Sequence, residues 1–257
     1  MTISHTVSAD DIRASFAASL SDMYQQEVPQ YGTLLDIVST INRQSGGFQC
    51  GDEGVSQRVE VERHGAIRLG TAEELSMMRR LFAVMGMEPV SYYDLTIAGL
   101  PIYATGFRPL REDSLQRNPF RVFTSLLRLE LIQDEALRAR ASDILSKRRI
   151  FTRRCIELIE AFEGNSTTTE EAAQEFIREA LETFRWHRTS TVDLATYKAL
   201  YAQHALVADI VCFRGPHINH LTPRVFDIDA AQAAMISRGL QAKASIEGPP
   251  PRHVPIL

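Results

Sequence analysis

The sequence has little cysteine and no long apolar run, and both shortages narrow the class of protein. Its 257 residues include three cysteines, an odd number in distant positions, which argues against a disulfide framework and against a CxxC metal site. We therefore expect Cys50, Cys155 and Cys212 to be reduced thiols that fill the core. No stretch approaches the roughly 18 apolar residues of a membrane span, and the N-terminus lacks the layout of a signal peptide. These absences predict a cytoplasmic protein without a membrane partner.

An excess of charge of one sign is also missing. The formal net charge is −4 and the 28 lysines and arginines are spread along the chain, so the charge pattern predicts no nucleic-acid partner. The sequence contains no Gly-rich phosphate loop, Gly-x-Ser-x-Gly or His-Glu-x-x-His motif, which weakens nucleotide-binding and serine-hydrolase interpretations. Apolar residues make up 44% of the chain, enough for the core of one large domain or two small ones.

The first half of the chain changes from a helical to a strand pattern. From Ser8 to about residue 43 apolar residues recur at helical spacing around a break at Pro29, which predicts two helices. A strand with a polar face is predicted to start at Val59. A helix follows, capped by Thr71 and ended by Gly86, and three further strands complete a βαβββ unit. The three strands are predicted at 90–97, 102–107 and 122–132.

Helical patterns return over residues 136–145, 151–162, 169–186 and 194–205 and predict an inserted helical subdomain. Trp186 and the phenylalanines at helical spacing are expected in the core. The basic residues at 147–149 and 153–154 are expected on a solvated helix face, because the protein as a whole is acidic. For His187 and His204 a solvated or packing role is favoured over catalysis.

The earlier pattern then recurs. We expect an apolar strand at 208–213, a polar strand end at 217–220, a helix capped near Asp227 and Asp229, a stop at Gly239, and strands from Ala242 and Val254. A histidine, a helix and a terminating glycine thus occur twice, which indicates an internal repeat. The domain boundaries predicted are N-terminal helices at 1–45, a first βαβββ unit at 46–133, a helical insertion at 134–205 and an incomplete second unit at 206–257.

His64 and Arg68 are the first candidate site residues. They share a strand face four residues apart, roughly 13 Å between Cα atoms at about 3.3 Å per residue. That leaves room for a small molecule gripped at one end by the guanidinium, which suits a carboxylate. The alternative is that Arg68 pairs with Glu60, Glu62 or a loop acid, and that His64 is a partly buried, hydrogen-bonded residue.

His217 and His220 form the second candidate group. They lie three residues apart, and on a strand that spacing places them on opposite faces, so at most one faces a site. His220 matches His64 better in its distance to the following helix. Two imidazoles on paired strands would supply two thirds of a 2-His-1-carboxylate iron site. The carboxylate is missing, since Asp227 and Asp229 are better explained as helix caps.

Several blocks of the sequence resemble one known family along the whole chain from about Ser8 to Leu257. They are HGAIRLGT at 64–71, YYDL at 92–95, GFRP at 106–109, NPFRVFTSLL at 118–127 and GPHINHLTPR at 215–224. Together they resemble the 2-oxoadipate dioxygenase/decarboxylase family. The resemblance implies an α+β fold related to the vicinal oxygen chelate superfamily, in which βαβββ units form a cupped mixed sheet around a divalent metal.

The resemblance also implies site roles and a reaction. His64 and His220 match the two histidine ligands of Fe(II), and Arg68 matches the substrate-binding arginine. The reaction implied is oxidation of 2-oxoadipate by O₂ to D-2-hydroxyglutarate and CO₂, a step of lysine catabolism. Arg68 would select a diacid, because an uncharged end would leave its guanidinium unpaired.

Family members are longer, and the resemblance places their glutamate ligand beyond Leu257, so we expect the chain to be an N-terminal portion. Two other hypotheses stay open. A metal-free interaction module could complete its core with another chain. A dioxygenase could also act on another 2-oxo acid or with another metal.

Overall fold

A computed structural model describes residues 6–45, 58–164 and 169–243 of the chain. Cys50 and the strand predicted from Val254 lie outside these ranges. The helices are α1 (Ala9–Glu27), α2 (Pro29–Gln44), α3 (Ala72–Val84), α4 (Glu112–Arg117), α5 (Glu135–Lys147), α6 (Arg153–Gly164), α7 (Glu170–Phe184), α8 (Leu194–Gln203), α9 (Ala205–Val211) and α10 (Ile228–Ser237). The strands are β1 (Arg63–Leu69), β2 (Glu88–Asp94), β3 (Ile102–Arg108), β4 (Arg121–Leu127) and β5 (His220–Pro223).

The five strands form one mixed sheet in the order β2-β3-β4-β1-β5. Strand β1 runs parallel to β4 and antiparallel to β5, and β3 runs antiparallel to both of its neighbours, β2 and β4. The βαβββ unit predicted from the sequence is therefore confirmed. Strand β5 extends the sheet beyond β1, so the two histidine-bearing strands lie side by side.

The main core lies between one face of the sheet, here called the rear face, and the helices α1, α3, α6 and α7. Ile67 and Leu69 of β1 are fully buried there against residues of α3 such as Phe82. Each buried side chain of this size contributes about 1.5–3 kcal/mol to folding. The other phenylalanines of this core are Phe16, Phe107, Phe120, Phe176 and Phe184. The phenylalanines expected in the core are therefore confirmed, but Trp186 is 50% exposed and its predicted core position is wrong.

The predicted helix ends are confirmed by their hydrogen bonds. Ser8 and Asp11 form a reciprocal capping box at the start of α1, and the Thr71 hydroxyl accepts from a backbone N–H of the first turn of α3. Gly86 and Gly239 end the two repeat helices with φ of 66° and 75°, a left-handed conformation that glycine adopts without penalty. The repeat of a histidine strand, a helix and a glycine stop is thus present in the fold.

A second apolar cluster covers one end of the opposite sheet face, here called the front face. Ile102 and Leu127 pack there against helices α5, α8 and α9, with Leu145, Leu200 and Ile210 among the buried residues. The strand predicted at 208–213 is wrong, since α9 occupies this segment. A short apolar run fits a buried helix as well as a buried strand, because the residues on all of its sides are covered.

Four predicted strand boundaries also need correction. Residues 58–61 form a helical turn, so β1 begins at Arg63 and not at Val59. Strand β2 ends in a 3₁₀ turn at 95–98, where Asp94 accepts from the Thr96 N–H, and β4 ends at 127 before another 3₁₀ turn. Residues 242–243 are not in a strand, and the rest of that predicted strand lies outside the described ranges. The predicted domain boundaries stay predictions.

Two arginines are buried and hold distant segments together. Arg13 of α1 is 0% exposed and donates to three backbone carbonyls, those of Met85, Ser114 and Asn118. Arg148 lies in the basic run predicted to be solvated, yet its side chain is only 4% exposed and pairs with Glu74 at 2.7 Å. The prediction is wrong for this residue, because its acidic partner lies 74 positions away in the sequence.

Candidate functional site

The front face of the sheet carries the predicted site residues in neighbouring rows. His64 lies between Arg121 of β4 and Thr222 of β5, and one step further Ala66 lies beside His220. Paired residues of adjacent strands point to the same face, so the two histidines share this face as diagonal neighbours, with Cα atoms about 7–8 Å apart. Arg68 follows on the same face, as the alternation of β1 predicts.

His64 is held by a buried carboxylate. Its Nε2 lies 2.8 Å from Oε1 of Glu62, whose side chain is fully buried. Arg224 and Arg121 approach the same carboxylate at 3.2 and 3.4 Å. Burial alone would raise the pKa of Glu62, but the hydrogen bonds and charges of His64 and Arg224 outweigh it and lower the pKa to about 2. An ionised Glu62 accepts a hydrogen bond from the Nε2–H group of His64. The Nδ1 lone pair of His64 then stays available for another ligand.

His220 has one ring nitrogen engaged in the same way. Its Nδ1 lies 2.8 Å from the Asn219 side-chain oxygen, which orients the ring and leaves the Nε2 lone pair available. Burial of one side of the ring, followed by the positive charges of Arg68 and Lys243, lowers the pKa of His220. At neutral pH the imidazole is therefore uncharged, as a metal ligand must be.

His64 and His220 match the two histidine ligands of a 2-His-1-carboxylate iron site, which has three protein ligands. Among the described residues each histidine has one ring nitrogen hydrogen-bonded and the other free, and both histidines lie on one face of adjacent strands. Glu62 is engaged by His64 and two arginines, so it orients a ligand and does not serve as one. Within residues 6–45, 58–164 and 169–243 no group of three or more His, Cys, Asp or Glu side chains is arranged to hold a metal ion.

Arg68 has an acidic partner that the sequence did not indicate. Its Nη1 donates to Oδ2 of Asp209 at 2.7 Å, and both side chains are about one quarter exposed. Asp209 lies on α9, in the segment that was predicted as a strand. The predicted partners Glu60 and Glu62 do not form this pair. The ion pair fixes the guanidinium at the edge of the second apolar cluster.

His217 lies apart from the front-face rows. It precedes β5 with φ of 27°, is 7% exposed, and packs against the Trp186 ring at 4.6 Å between centroids. Burial lowers the pKa of His217, the charge of Asp209 opposes this, and the charge of Arg68 adds to it. Of the two histidines that the sequence left open, His220 is the one beside His64.

The remaining candidates have structural positions. The carboxylate of Asp227 caps α10 by accepting from the Ala230 N–H, and Asp229 lies in the first turn of that helix. His204 caps α9 through Nδ1, which accepts from a backbone N–H. His187 packs against Gly215, and burial, followed by the charge of a neighbouring arginine, lowers its pKa.

Three clefts lie near these residues. One of about 510 Å³ is lined by His220, Thr222 and Tyr31, among others. A cleft of about 490 Å³ opens on the front face and is lined by His64, Tyr93, Arg121 and Phe123, among others. A larger cleft of about 740 Å³ lies at the start of α3 and contains none of the three predicted site residues. We place the candidate site on the front face, because the imidazoles and guanidinium groups converge there.

Two of the three cysteines lie within the described ranges. Cys155 and Cys212 are buried free thiols, as predicted, and burial raises their pKa to about 12 and about 11. Among the helices of the described ranges, none is long and apolar enough to cross a bilayer.

The fold defines the class of protein. A glyoxalase-superfamily protein from Ralstonia eutropha JMP134 superposes with a TM-score of 0.66 over 95% of this chain and 72% of its own, at 18% identity. Identity that low shows the fold alone. The predicted α+β architecture with a mixed sheet is confirmed, and the described residues contain one complete βαβββ unit followed by the strand and helix of the repeat.

The family follows from the sequence comparisons. The family model of 2-oxoadipate dioxygenase/decarboxylase matches residues 16–257, and the chain belongs to that family. The Escherichia coli K12 protein named 2-oxoadipate dioxygenase/decarboxylase is 56% identical over 99% of this chain and 58% of its own length. The Pseudomonas putida hydroxyglutarate synthase, solved with 2-oxoadipate, superposes with a TM-score of 0.93 at 55% identity, over 98% of this chain and 57% of its own. The chain thus spans less than two thirds of these relatives.

Three residues of the front face were not found by sequence reasoning. The sequence predicts Glu62 only as part of the polar face of a strand, and Asp209 as part of an apolar strand. Arg121 lies inside a block that carried the family resemblance, and it starts a strand beside His64. A prediction that β4 pairs with β1 would have placed Arg121 beside His64.

Proposed function

We propose that this chain forms the part of an Fe(II)-dependent dioxygenase/decarboxylase that binds the metal through His64 and His220 and the substrate through Arg68. The reaction is oxidation of 2-oxoadipate by O₂ to D-2-hydroxyglutarate and CO₂, in the cytoplasm. The observation that carries the proposal is the shared front face of β1 and β5, where the two imidazoles are diagonal neighbours. Membership of the 2-oxoadipate dioxygenase/decarboxylase family supports the choice of reaction.

His64 and His220 would hold the ion, and the third protein ligand, a glutamate, is not among the described residues. A bound ferrous ion supplies the means to bring a 2-oxo acid and O₂ together and to reduce O₂. The chain's own contribution is to fix the ligands. Glu62 and Asn219 each engage one ring nitrogen, so the other nitrogen of each ring is directed to the site in the correct tautomer.

Arg68 would bind a carboxylate of the substrate. It lies on the same face as both histidines, and its planar guanidinium can donate two parallel hydrogen bonds. Asp209 restrains that guanidinium through the 2.7 Å contact, which reduces the conformational freedom lost on binding. Asp209 engages Nη1 alone. A monoacid would leave the other N–H donors of Arg68 without a carboxylate acceptor, so the site favours diacids.

The test uses the product of the complete gene in which these residues are encoded. The protein is loaded anaerobically with Fe(II), mixed with 2-oxoadipate and O₂, and assayed for O₂ uptake, CO₂ and D-2-hydroxyglutarate. We expect one O₂ consumed for each CO₂ released, and activity lost in His64→Ala and His220→Ala. Absence of turnover in the iron-loaded protein would refute the reaction, and full activity in either variant would refute the ligand assignment. Faster turnover of a shorter or longer 2-oxo diacid would change the substrate only.

A further inference from the structure

A second group of arginines lies beside His64 on the front face, with two of its members on the neighbouring strands β4 and β3. The cleft of about 490 Å³ beside His64 is lined by Arg58, Arg108 and Arg121, and no aspartate or glutamate of the described ranges lines it. We call these three residues the arginine cluster. A concave surface with three guanidinium groups and no lining acid attracts an anion.

The topology explains how the cluster forms. Arg121 starts β4 directly beside His64 of β1. Arg108 follows Phe107, which pairs with Val122, so the antiparallel register of β3 and β4 brings Arg108 beside Arg121. Arg58 comes from the helical turn that precedes β1. Three segments distant in sequence therefore direct basic side chains to one cleft.

The charge of the cluster is poorly compensated. Glu62 is the acid in contact with it, at 3.4 Å from Arg121, and the same carboxylate also contacts His64 and Arg224. Arg108 donates to a backbone carbonyl. Its cross-strand neighbour Glu88 forms no ion pair with it within the described part of the chain.

Two donor atoms of the cluster are buried without a partner, Nε of Arg58 and Nε of Arg121. Unpaired buried donors are costly, about 1–3 kcal/mol each. An anion in the cleft would satisfy these donors and separate the like charges. Arg68 contrasts with this, because it already has a carboxylate partner at 2.7 Å.

We propose that the arginine cluster is a carboxylate-binding subsite that takes one carboxylate of the 2-oxo diacid, while Arg68 takes the other. This inference rests on the proposed function. Arg121 lies directly beside His64, and Arg68 lies four residues further along β1 on the same face. A diacid that bridges the cluster and Arg68 would therefore run along this face past His64. Selection of a diacid then depends on two separate arginine contacts, and loss of either reduces affinity to that of a monoacid.

The test measures binding without turnover. Adipate and hexanoate, six-carbon acids with two carboxylates and one, are titrated calorimetrically into the metal-free protein. The variants are Arg108→Gln, Arg121→Gln and, as a control, Arg140→Gln, which removes an exposed arginine of α5 paired with Asp193. One charge-assisted hydrogen bond is worth about ten- to hundredfold in affinity.

We expect adipate to bind at least tenfold more tightly than hexanoate, and both cluster variants to lose that advantage while Arg140→Gln keeps it. Equal affinity for adipate in the wild type and both cluster variants would overturn the subsite, as would equal binding of adipate and hexanoate by the wild type. Arg108 is not among the described residues that contact Glu62. The Arg108→Gln substitution therefore leaves the contact between Glu62 and His64 in place. If adipate binds as expected but the iron-loaded protein does not turn over 2-oxoadipate, the proposed function fails and the subsite stands.

Discussion

Arg148→Met tests whether the buried Arg148–Glu74 ion pair stabilises the fold. The Arg148 Nε and Nη2 atoms donate to the two oxygens of Glu74 at 2.8 and 2.7 Å, with side-chain exposures of 4% and 8%. Nη1 also donates to the Ile210 carbonyl, next to Asp209 of α9. The pair therefore joins α3 to the helix that carries the partner of Arg68.

The magnitude follows from the burial of both charges. Removal of one partner of a buried pair leaves an uncompensated charge and costs about 3–5 kcal/mol. Replacement of both by apolar residues leaves no buried charge, so the double variant Glu74→Leu/Arg148→Met should lose less than Arg148→Met alone. Lys147→Met is the matched control, because Lys147 is the neighbouring base, 72% exposed and paired with an exposed aspartate. Exposed pairs of this kind contribute about 0–1 kcal/mol.

The assay is urea unfolding of the four proteins at pH 7, with the free energy of unfolding taken from the linear fit. We expect Arg148→Met to be the least stable and Lys147→Met to match the wild type within about 1 kcal/mol. An Arg148→Met protein as stable as Lys147→Met would refute the reasoning. So would a double variant less stable than Arg148→Met, since removal of the second charge would then bring no relief.

Three further predictions concern groups outside the metal site. Arg13→Met should lower the free energy of unfolding by about 3–5 kcal/mol, because three backbone carbonyls and Asp10 lose their donor. A loss below about 1 kcal/mol in urea unfolding would contradict this. In a Cys50→Ser protein, Cys155 and Cys212 should not react with a disulfide reagent at pH 8 until the chain unfolds. Their pKa values of about 12 and about 11 leave little of the reactive thiolate. Rapid reaction of the native protein would contradict this. Asp209→Asn should lower the pKa of His217 further, since the lost negative charge opposes that shift; an upward shift in an NMR titration would show that the sign is wrong.

Local features of the fold could be predicted from the sequence. The apolar spacing, Ser8, Thr71 and the two glycine stops mark the helix ends, because capping depends on residues within one turn. The period of two in β1 places His64 and Arg68 on one face, as the structure shows. The position of β5 beside β1 was anticipated by the repeat and the family resemblance and not by the pattern of β5 itself, which is four residues long.

The contacts that tune the site could not be predicted, because they join distant segments. Arg68 and Asp209 are 141 positions apart, and Arg121 and Glu62 are 59 apart. The run at 208–213 was misassigned because apolar residues cover all sides of a buried helix. Trp186 is exposed despite its apolar ring, because its segment leaves α7 and packs on His217 at the surface.

The central claim is that His64 and His220 bind one metal ion, and the most direct test is anaerobic Fe(II) binding by the protein. Wild-type protein is compared with His64→Ala, His220→Ala and His204→Asn, a control that removes an imidazole and keeps an oxygen acceptor at the helix cap. We expect one iron per chain in the wild type and in His204→Asn. We expect at least tenfold weaker iron binding in His64→Ala and in His220→Ala. Wild-type stoichiometry and affinity in either His64→Ala or His220→Ala would contradict it.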